Sequence, residues 1–147
     1  MRARYRVAAC VLAVLAGFVG AAQASGTVAH RIASLNLCAD QIVLMLADPA
    51  DIAGLSPLAR DCASAVLCAR AQQVPSLPPT GEAVLARRPD VVFTSPYTAI
   101  AAATIARQAG LRTVDLPLAE SLSELPEQIM TIARAIGRED RAEALVA

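Results

Sequence analysis

The chain has 147 residues, of which 56% are hydrophobic and 18% are charged, and its 13 basic and 13 acidic residues give a formal net charge of +0. This length suits one domain of ordinary size, and the apolar content excludes a disordered chain and favours a buried sheet covered by Ala-rich helices. No basic excess is available for the phosphate backbone of a nucleic acid, so that class of partner is excluded.

Residues 1–24 are predicted to form a secretory signal peptide. Three arginines precede an apolar run from residue 7 to residue 22, and Ala22, Gln23 and Ala24 form a small-x-small cleavage site. The run is shorter than the ~20 residues of a bilayer span, and no basic stop-transfer cluster follows it. We therefore expect a periplasmic protein, cleaved near Ala24. The mature chain would keep 10 basic and 13 acidic residues, a formal charge of about −3.

The mature sequence opens with a strand that turns directly into a helix, over residues 31–41. The apolar run of residues 32–35 predicts a short strand, Asn36 interrupts it, and apolar residues at helical spacing follow as far as Leu46. In an open parallel sheet such a turn lies at the carboxyl edge, where ligands bind. We therefore predict a binding surface around Asn36, Leu37 and Cys38.

Strands and helices alternate through the rest of the chain. Further strands are predicted at residues 51–56, 90–94 and 112–116, each an apolar run that ends at a turn signal. Helices are predicted at residues 81–88, 98–109, 121–136 and 137–147, and residues 58–73 indicate a loop with an irregular helix. This alternation predicts an α/β fold, a Rossmann-like parallel sheet flanked by helices.

Local signals mark several helix ends. Thr80 is a predicted N-cap, and Ser121 with Glu124 has the spacing of a capping box. The helix after it is the one that the sequence predicts best, because apolar residues recur every three or four positions from Leu122 through Leu125 to Ile136. Gly137 is expected to end it.

Three of the four cysteines lie in the mature chain. An odd count in an oxidising compartment allows at most one internal disulfide. Cys62 and Cys68 are close enough to cross-link a small loop, although an intervening helix would hold their sulfur atoms apart. We expect Cys38, at the start of an apolar helix, to be a small buried residue.

Signs of catalysis are absent from the sequence. It contains neither the G-x-S-x-G motif of esterases nor the glycine-rich loops of nucleotide enzymes. His30, the only histidine, stands close to the cleavage site, and we interpret Asp40, Asp90 and Asp115 as caps and turns. We therefore expect no enzyme, no cofactor and no metal centre. An exported α/β hydrolase-like enzyme fragment and a stand-alone interaction domain are the alternatives.

The order of motifs resembles a known family. The stretches RIASLNLCADQIVLMLAD, DIAGLS, GEAVLARRPDVVFTSPYT and AGLRTVDLP follow one another as in the N-terminal lobe of periplasmic substrate-binding proteins of ABC importers for iron-siderophores, haem or cobalamin. The most specific part is residues 82–94, where a glutamate, an apolar turn, R-P-D and a buried strand occur together. The resemblance extends over essentially the whole mature chain.

The resemblance implies a lobe at residues 25–137 and, from residue 138 to 147, the start of the long helix that joins two lobes around a ligand cleft. A second lobe would then be absent, and the sequence would be the N-terminal part of something longer. A short complete C-terminal helix is the alternative. Half a cleft covers at most half a ligand.

The resemblance also implies roles for residues at matching positions. The ligand-binding residues would lie in the turns that follow the strands, with Tyr97 as the ring available for stacking on a macrocycle or chelate. These residues are Asn36, Leu37, Cys38, Ser56, Pro57, Ser95 and Tyr97. Glu82 matches the glutamate that docks against permease arginines, and the alternative is an ordinary residue favoured by the helix dipole.

Departures from the family pattern bear on the ligand. The tryptophan that some cobalamin binders place before the Glu82 helix is absent, so an iron chelate is favoured over cobalamin. A lone His30 argues against a bare metal ion as solute. Arg60 or Arg70 could serve an anionic siderophore at the mouth of the cleft, or could be solvated surface residues.

Overall fold

The computed structural model of the protein describes residues 28–147, and the predicted signal peptide lies outside the described residues. None of the helices in this range is long and apolar enough to cross a membrane. The strands are β1 (Ile32–Ser34), β2 (Ile52–Gly54), β3 (Val91–Thr94) and β4 (Thr113–Asp115). The α-helices are α1 (Leu37–Leu46), α2 (Cys68–Ala71), α3 (Gly81–Arg87), α4 (Ile100–Gln108), α5 (Leu125–Ile136) and α6 (Glu139–Val146).

The four strands form one parallel sheet in the order β2-β1-β3-β4. The chain leaves β1 toward β2 on one side and then returns to form β3 on the other side of β1. All strands point the same way, so the turns that follow them lie at one edge of the sheet. The predicted α/β fold, a parallel sheet flanked by helices, is confirmed.

Helices cover both faces of the sheet. Ile32, Val91 and Phe93 point to one face and pack with the buried sides of α1, α5 and α6. Ala33 and Val92 point to the other face, where α3 and α4 cover them. This alternation follows from the two-residue period of a strand, and it explains why the β3 sequence is apolar without interruption.

Of the two helix starts for which the sequence predicts a side-chain cap, one has that cap and the other does not. Thr80 caps α3 by accepting from the backbone N–H of Ala83 at 3.2 Å, as expected. Ser121 and Glu124 do not form the predicted capping box. Their side chains bond to each other at 2.9 Å, and α5 begins only at Leu125, after a 3₁₀ turn. Leu122 is therefore 84% exposed instead of lying on the buried face.

Charged contacts attach α6 to the loop between α1 and β2. Gly137 ends α5 at φ 64°, in the left-handed region that glycine adopts most readily, and α6 follows. Arg138 then bonds Asp48 at 3.1 Å and Asp51 at 3.0 Å, and Arg141 bonds Asp48 at 3.0 Å. The hydrogen bond from Arg141 is the main reason that the pKa of Asp48 lies below its ordinary value. A helix thus begins where the sequence predicts one.

A disulfide joins Cys62 to Cys68 across the loop that precedes α2. The two Cα atoms lie 5.1 Å apart, within the range that the bond requires. The intervening residues form turns and not a helix, so they do not hold the sulfur atoms apart. The bridge closes a short loop directly after the 3₁₀ turn Pro57–Arg60.

Candidate functional site

A groove of about 460 Å³ crosses the carboxyl edge of the sheet. Residues from the turns after all four strands line it, and Pro79, just before α3, completes the lining. The groove is centred where the chain departs from β1 and β3 in opposite directions. Such a switch point opens a crevice between neighbouring turns, and ligands of open α/β sheets bind there.

The structure brings the seven sequence-predicted residues together along this groove. They come from three separate turns. These turns are neighbours because the parallel strands that they follow end at the same edge of the sheet. The residues are Asn36, Leu37 and Cys38 after β1, Ser56 and Pro57 after β2, and Ser95 and Tyr97 after β3.

The turn after β1 is fixed by Asn36. Its side-chain oxygen accepts from the backbone N–H groups of Cys38, at 2.8 Å, and Ala39, at 3.2 Å. Asn36 is therefore the N-cap of α1 as well as part of the groove wall. Cys38 is exposed and free, so the expectation that it is buried is wrong. Leu37 and Cys38 at the start of α1 lie beside the groove, and the helix enters the core from Ala39 onward.

The turn after β2 is held by a buried carboxyl group. The Ser56 hydroxyl donates to Asp40 at 2.5 Å, and the Ser56 backbone N–H donates to the same side chain at 3.4 Å. Asp40 has no solvent exposure, and its burial raises its pKa from 3.8 to about 6, against the lowering effect of hydrogen bonds from Ser34 and Ser56. Of the two roles expected for Asp40, caps and turns, it has the second, because it holds the turn after β2 from inside the core.

The turn after β3 presents the one aromatic ring among the described residues that line the groove. The backbone N–H of Tyr97 donates to the Ser95 hydroxyl at 3.2 Å, and Ser95 itself is buried. Ala99 then adopts φ 50° at the start of α4, an uncommon conformation for a residue with a Cβ atom. The Tyr97 side chain is 71% exposed, so its ring is available for contact.

The turn after β4 was not predicted to belong to the site. Pro117 and Leu118 line the groove, and the amide of the buried Gln128 on α5 donates to the Pro117 carbonyl oxygen at 2.8 Å. Leu118 is 67% exposed. The predicted strand of residues 112–116 ends at Pro117. Since the ends of the other strands were assigned to the site, this proline could have indicated that the fourth turn belongs to it as well.

Several other expected residues lie away from the groove. Glu82 is exposed on the first turn of α3 and does not line it. Arg60 donates to the Val74 carbonyl oxygen at 2.5 Å, and Arg70 is exposed on α2. His30 precedes β1, at the opposite edge of the sheet, 3.8 Å from Asp51. Among residues 28–147, no group of three His, Cys, Asp or Glu side chains is placed to hold a metal ion.

An α/β lobe with an open groove across the ends of its parallel strands is a ligand-binding architecture. The sequence from residue 32 to residue 147 matches the family model described as periplasmic binding protein. This match covers well over half of the chain, and the chain therefore belongs to the periplasmic binding protein family. No curated protein matches the sequence.

Solved structures with a similar fold include proteins with three different ligands in their names. A possible iron-binding (periplasmic solute-binding) protein from Staphylococcus epidermidis ATCC 12228 is 21% identical, with TM-score 0.66 over 80% of this chain and 46% of that chain. A periplasmic heme binding protein from Pseudomonas aeruginosa is 22% identical, with TM-score 0.63 over 80% of this chain and 42% of that chain. The periplasmic vitamin B12 binding protein of Vibrio cholerae is 17% identical, with TM-score 0.65 over 79% of this chain and 45% of that chain.

These likenesses establish the fold. The chain spans less than half of the length of each of the three structures. The shared part is the lobe built on the sheet β2-β1-β3-β4, and its groove is formed by turns at one edge of that sheet.

Proposed function

We propose that the chain is the N-terminal lobe of a periplasmic solute receptor, which captures an iron-siderophore or related metal chelate and delivers it to an ABC permease in the inner membrane. The observation that carries this proposal is the groove at the β1/β3 switch point, lined by turns from all four strands. Membership of the periplasmic binding protein family and the similarity to iron-binding and heme-binding proteins support the choice of solute class.

The size and shape of the groove suit one half of a cleft. Its volume of about 460 Å³ falls within the usual range for small-molecule sites, but the groove is open on one side. A large chelate seated in it would keep much of its surface in water until a second surface covered it. We propose that α6 begins the helix that leads to a second lobe, as the contacts of Arg138 and Arg141 with Asp48 fix the direction in which α6 leaves this one.

Glu82 is proposed to contact the permease. Its carboxylate is exposed on the first turn of α3, outside the groove, and the Thr80 cap holds that turn in place. An exposed charge on a rigid turn suits the steering and register of a partner more than raw affinity. The contact would therefore matter for transport and not for capture of the solute.

A receptor is favoured over the alternative of an exported hydrolase-like enzyme. Among the described residues the groove has serine hydroxyls and a cysteine thiol, but the only histidine lies at the opposite edge of the sheet. A nucleophile of the Ser–His or Cys–His kind needs a histidine base within hydrogen-bonding distance, and the one carboxyl among residues 28–147 bonded to a groove serine, Asp40, is buried and holds the turn after β2. We further propose export by residues 1–24 with cleavage near Ala24.

Equilibrium titration of the protein at its natural full length tests this proposal. Haemin, a ferric hydroxamate siderophore and cobalamin would each be added while heat release and tyrosine fluorescence are followed. We expect saturable binding with micromolar or tighter affinity for at least one of them and weaker binding by the Tyr97→Ala variant. No saturable response to any of the three would contradict the proposed function.

A further inference from the structure

The part of the groove lining that residues 28–147 form is uncharged. None of these lining residues is an Asp, Glu, Arg, Lys or His. The guanidinium of Arg60 donates to the Val74 carbonyl oxygen. Arg107, which lies on α4, forms an ion pair with Asp115 of β4 at 2.6 Å. A solute in this groove therefore contacts no cationic side chain from the lining residues.

The backbone donors of Cys38, Ala39 and Asp40 at the amino end of α1 are also occupied, whereas α4, which starts beside Ala99, has no side-chain cap. The amino end of a helix ordinarily attracts anions, because its first N–H groups lack partners. In α1 the N–H groups of Cys38 and Ala39 are bonded to the Asn36 side chain. The N–H of Asp40 is bonded to the Asn36 carbonyl oxygen at 2.8 Å. A carboxylate or phenolate of a ligand could reach these donors only by displacing Asn36.

A carboxyl group lies directly behind the groove wall. Asp40 bonds the hydroxyl of Ser56, which lines the groove, and has no exposure to solvent. Burial raises its pKa to about 6. Among the described residues the groove thus has a carboxyl group behind its wall and no positive charge on its surface, and neither feature attracts an anion.

The surface that remains is apolar. Leu58, Tyr97 and Leu118 lie along the groove with 54%, 71% and 67% of their surface exposed. Exposed large apolar side chains that share one depression mark a site where apolar area is removed from water. They come from the turns after three different strands, so a flat apolar ligand face could contact all three.

Resting on the proposed function, we propose that this wall takes an uncharged, apolar face of the metal chelate and excludes polyanionic chelates. Two sources have this chemistry. A tetrapyrrole has a broad apolar ring with its carboxylates confined to the edge. A ferric hydroxamate has chelating groups whose charge the iron neutralises. A ferric catecholate or ferric citrate keeps excess negative charge, for which this wall offers no charged partner.

Competitive titration of the protein at its natural full length tests the inference with five probes: haemin, cobalamin, a ferric hydroxamate, a ferric catecholate and ferric citrate. We expect haemin, cobalamin or the ferric hydroxamate to bind at least about tenfold more tightly than both the ferric catecholate and ferric citrate. A tenfold difference in affinity is about what one charge–charge contact contributes. Which of the three binds identifies the source. A catecholate or citrate complex that binds most tightly would overturn the inference and leave the proposed function standing. If none of the five probes binds, both the inference and the proposed function are overturned.

A charge placed on the groove gives a second readout. Leu118→Arg adds a cation at an exposed lining position, and Leu85→Arg, on the outer side of α3, is the matched control. We expect Leu118→Arg to strengthen binding of the ferric catecholate about tenfold and Leu85→Arg to leave it unchanged. Equal effects of the two variants, or no effect of Leu118→Arg, would contradict the inference.

Discussion

The hydroxyl of Ser56 donates a hydrogen bond of 2.5 Å to Asp40, and this contact joins the second turn of the groove to the interior of α1. One partner lines the groove and the other has no exposure to solvent. Burial raises the pKa of Asp40 to about 6, so the contact is sensitive to pH within the range in which proteins are handled. The position of Ser56 therefore depends on a group that a ligand does not touch.

Asp40→Asn is expected to remove a component of the pH dependence of stability. The folded-state pKa of about 6 exceeds the ordinary value of 3.8, so the folded protein holds a proton that the unfolded chain has released between these values. The free energy of unfolding of the unmodified protein should therefore fall as pH rises from 4 to 6, by about 2–3 kcal/mol from this group, and then level off. Denaturant titrations of both proteins at pH 4, 5, 6 and 7 measure the difference.

The matched control is Asp140→Asn, at an exposed position in the first turn of α6. It should leave the pH dependence between 4 and 6 unchanged. A constant difference in stability between Asp40→Asn and the unmodified protein across this range would mean that Asp40 does not titrate there.

Tyr97 is expected to contribute through its ring. The side chain is 71% exposed at the groove, and no hydrogen bond of its hydroxyl is present in the described part of the chain. Tyr97→Ala should weaken binding of the solute by about 1–2 kcal/mol, or roughly 5- to 30-fold, whereas Tyr97→Phe should stay within about threefold. Calorimetric titration distinguishes the two. Equal losses in both variants would instead assign the contribution to the hydroxyl.

The disulfide between Cys62 and Cys68 is expected to stabilise the lobe. For so short a loop, its removal by the double substitution to serine should lower the free energy of unfolding by about 2 kcal/mol. The control is Cys38→Ser, which removes a thiol that is exposed and free and should change stability little. Unfolding of both variants in guanidinium chloride measures the effect, and an equal stability of the two would argue against a structural role for the bridge.

Glu82→Gln is expected to reduce transport without changing capture. The carboxylate is exposed on α3 and does not line the groove, so the affinity for the solute should stay the same while uptake by cells falls several-fold. Glu143→Gln, exposed on α6, is the control for removal of one negative charge. Normal uptake by the Glu82 variant would exclude the proposed contact with the permease.

The sequence predicted the fold and the edge that carries the groove. Strand β3 was identified from the apolar run between Pro89 and Ser95, and the turns after β1, β2 and β3 were placed together because parallel strands end at one edge. These features depend on local patterns and on a general rule of topology, and both can be read without coordinates.

The support of the groove could not be predicted in this way. Asp40 contacts Ser56 across 16 positions of sequence, and Gln128 contacts Pro117 across 11. Neither pair has a spacing that marks an interaction within one helix or turn. The exposure of Cys38 was missed for a related reason, since the apolar period of α1 does not reveal that its first two residues, Leu37 and Cys38, line the groove.

The central claim, that the solute occupies this groove, is tested most directly by the reactivity of Cys38. Its thiol is free, exposed and part of the groove lining, so a seated chelate should shield it from an alkylating reagent. The rate of alkylation at Cys38, followed by peptide mass spectrometry in the full-length protein, is predicted to fall at least about tenfold at saturating solute. A cysteine introduced by Leu85→Cys, outside the groove, should react at an unchanged rate. An equal rate at Cys38 with and without bound solute would contradict the account.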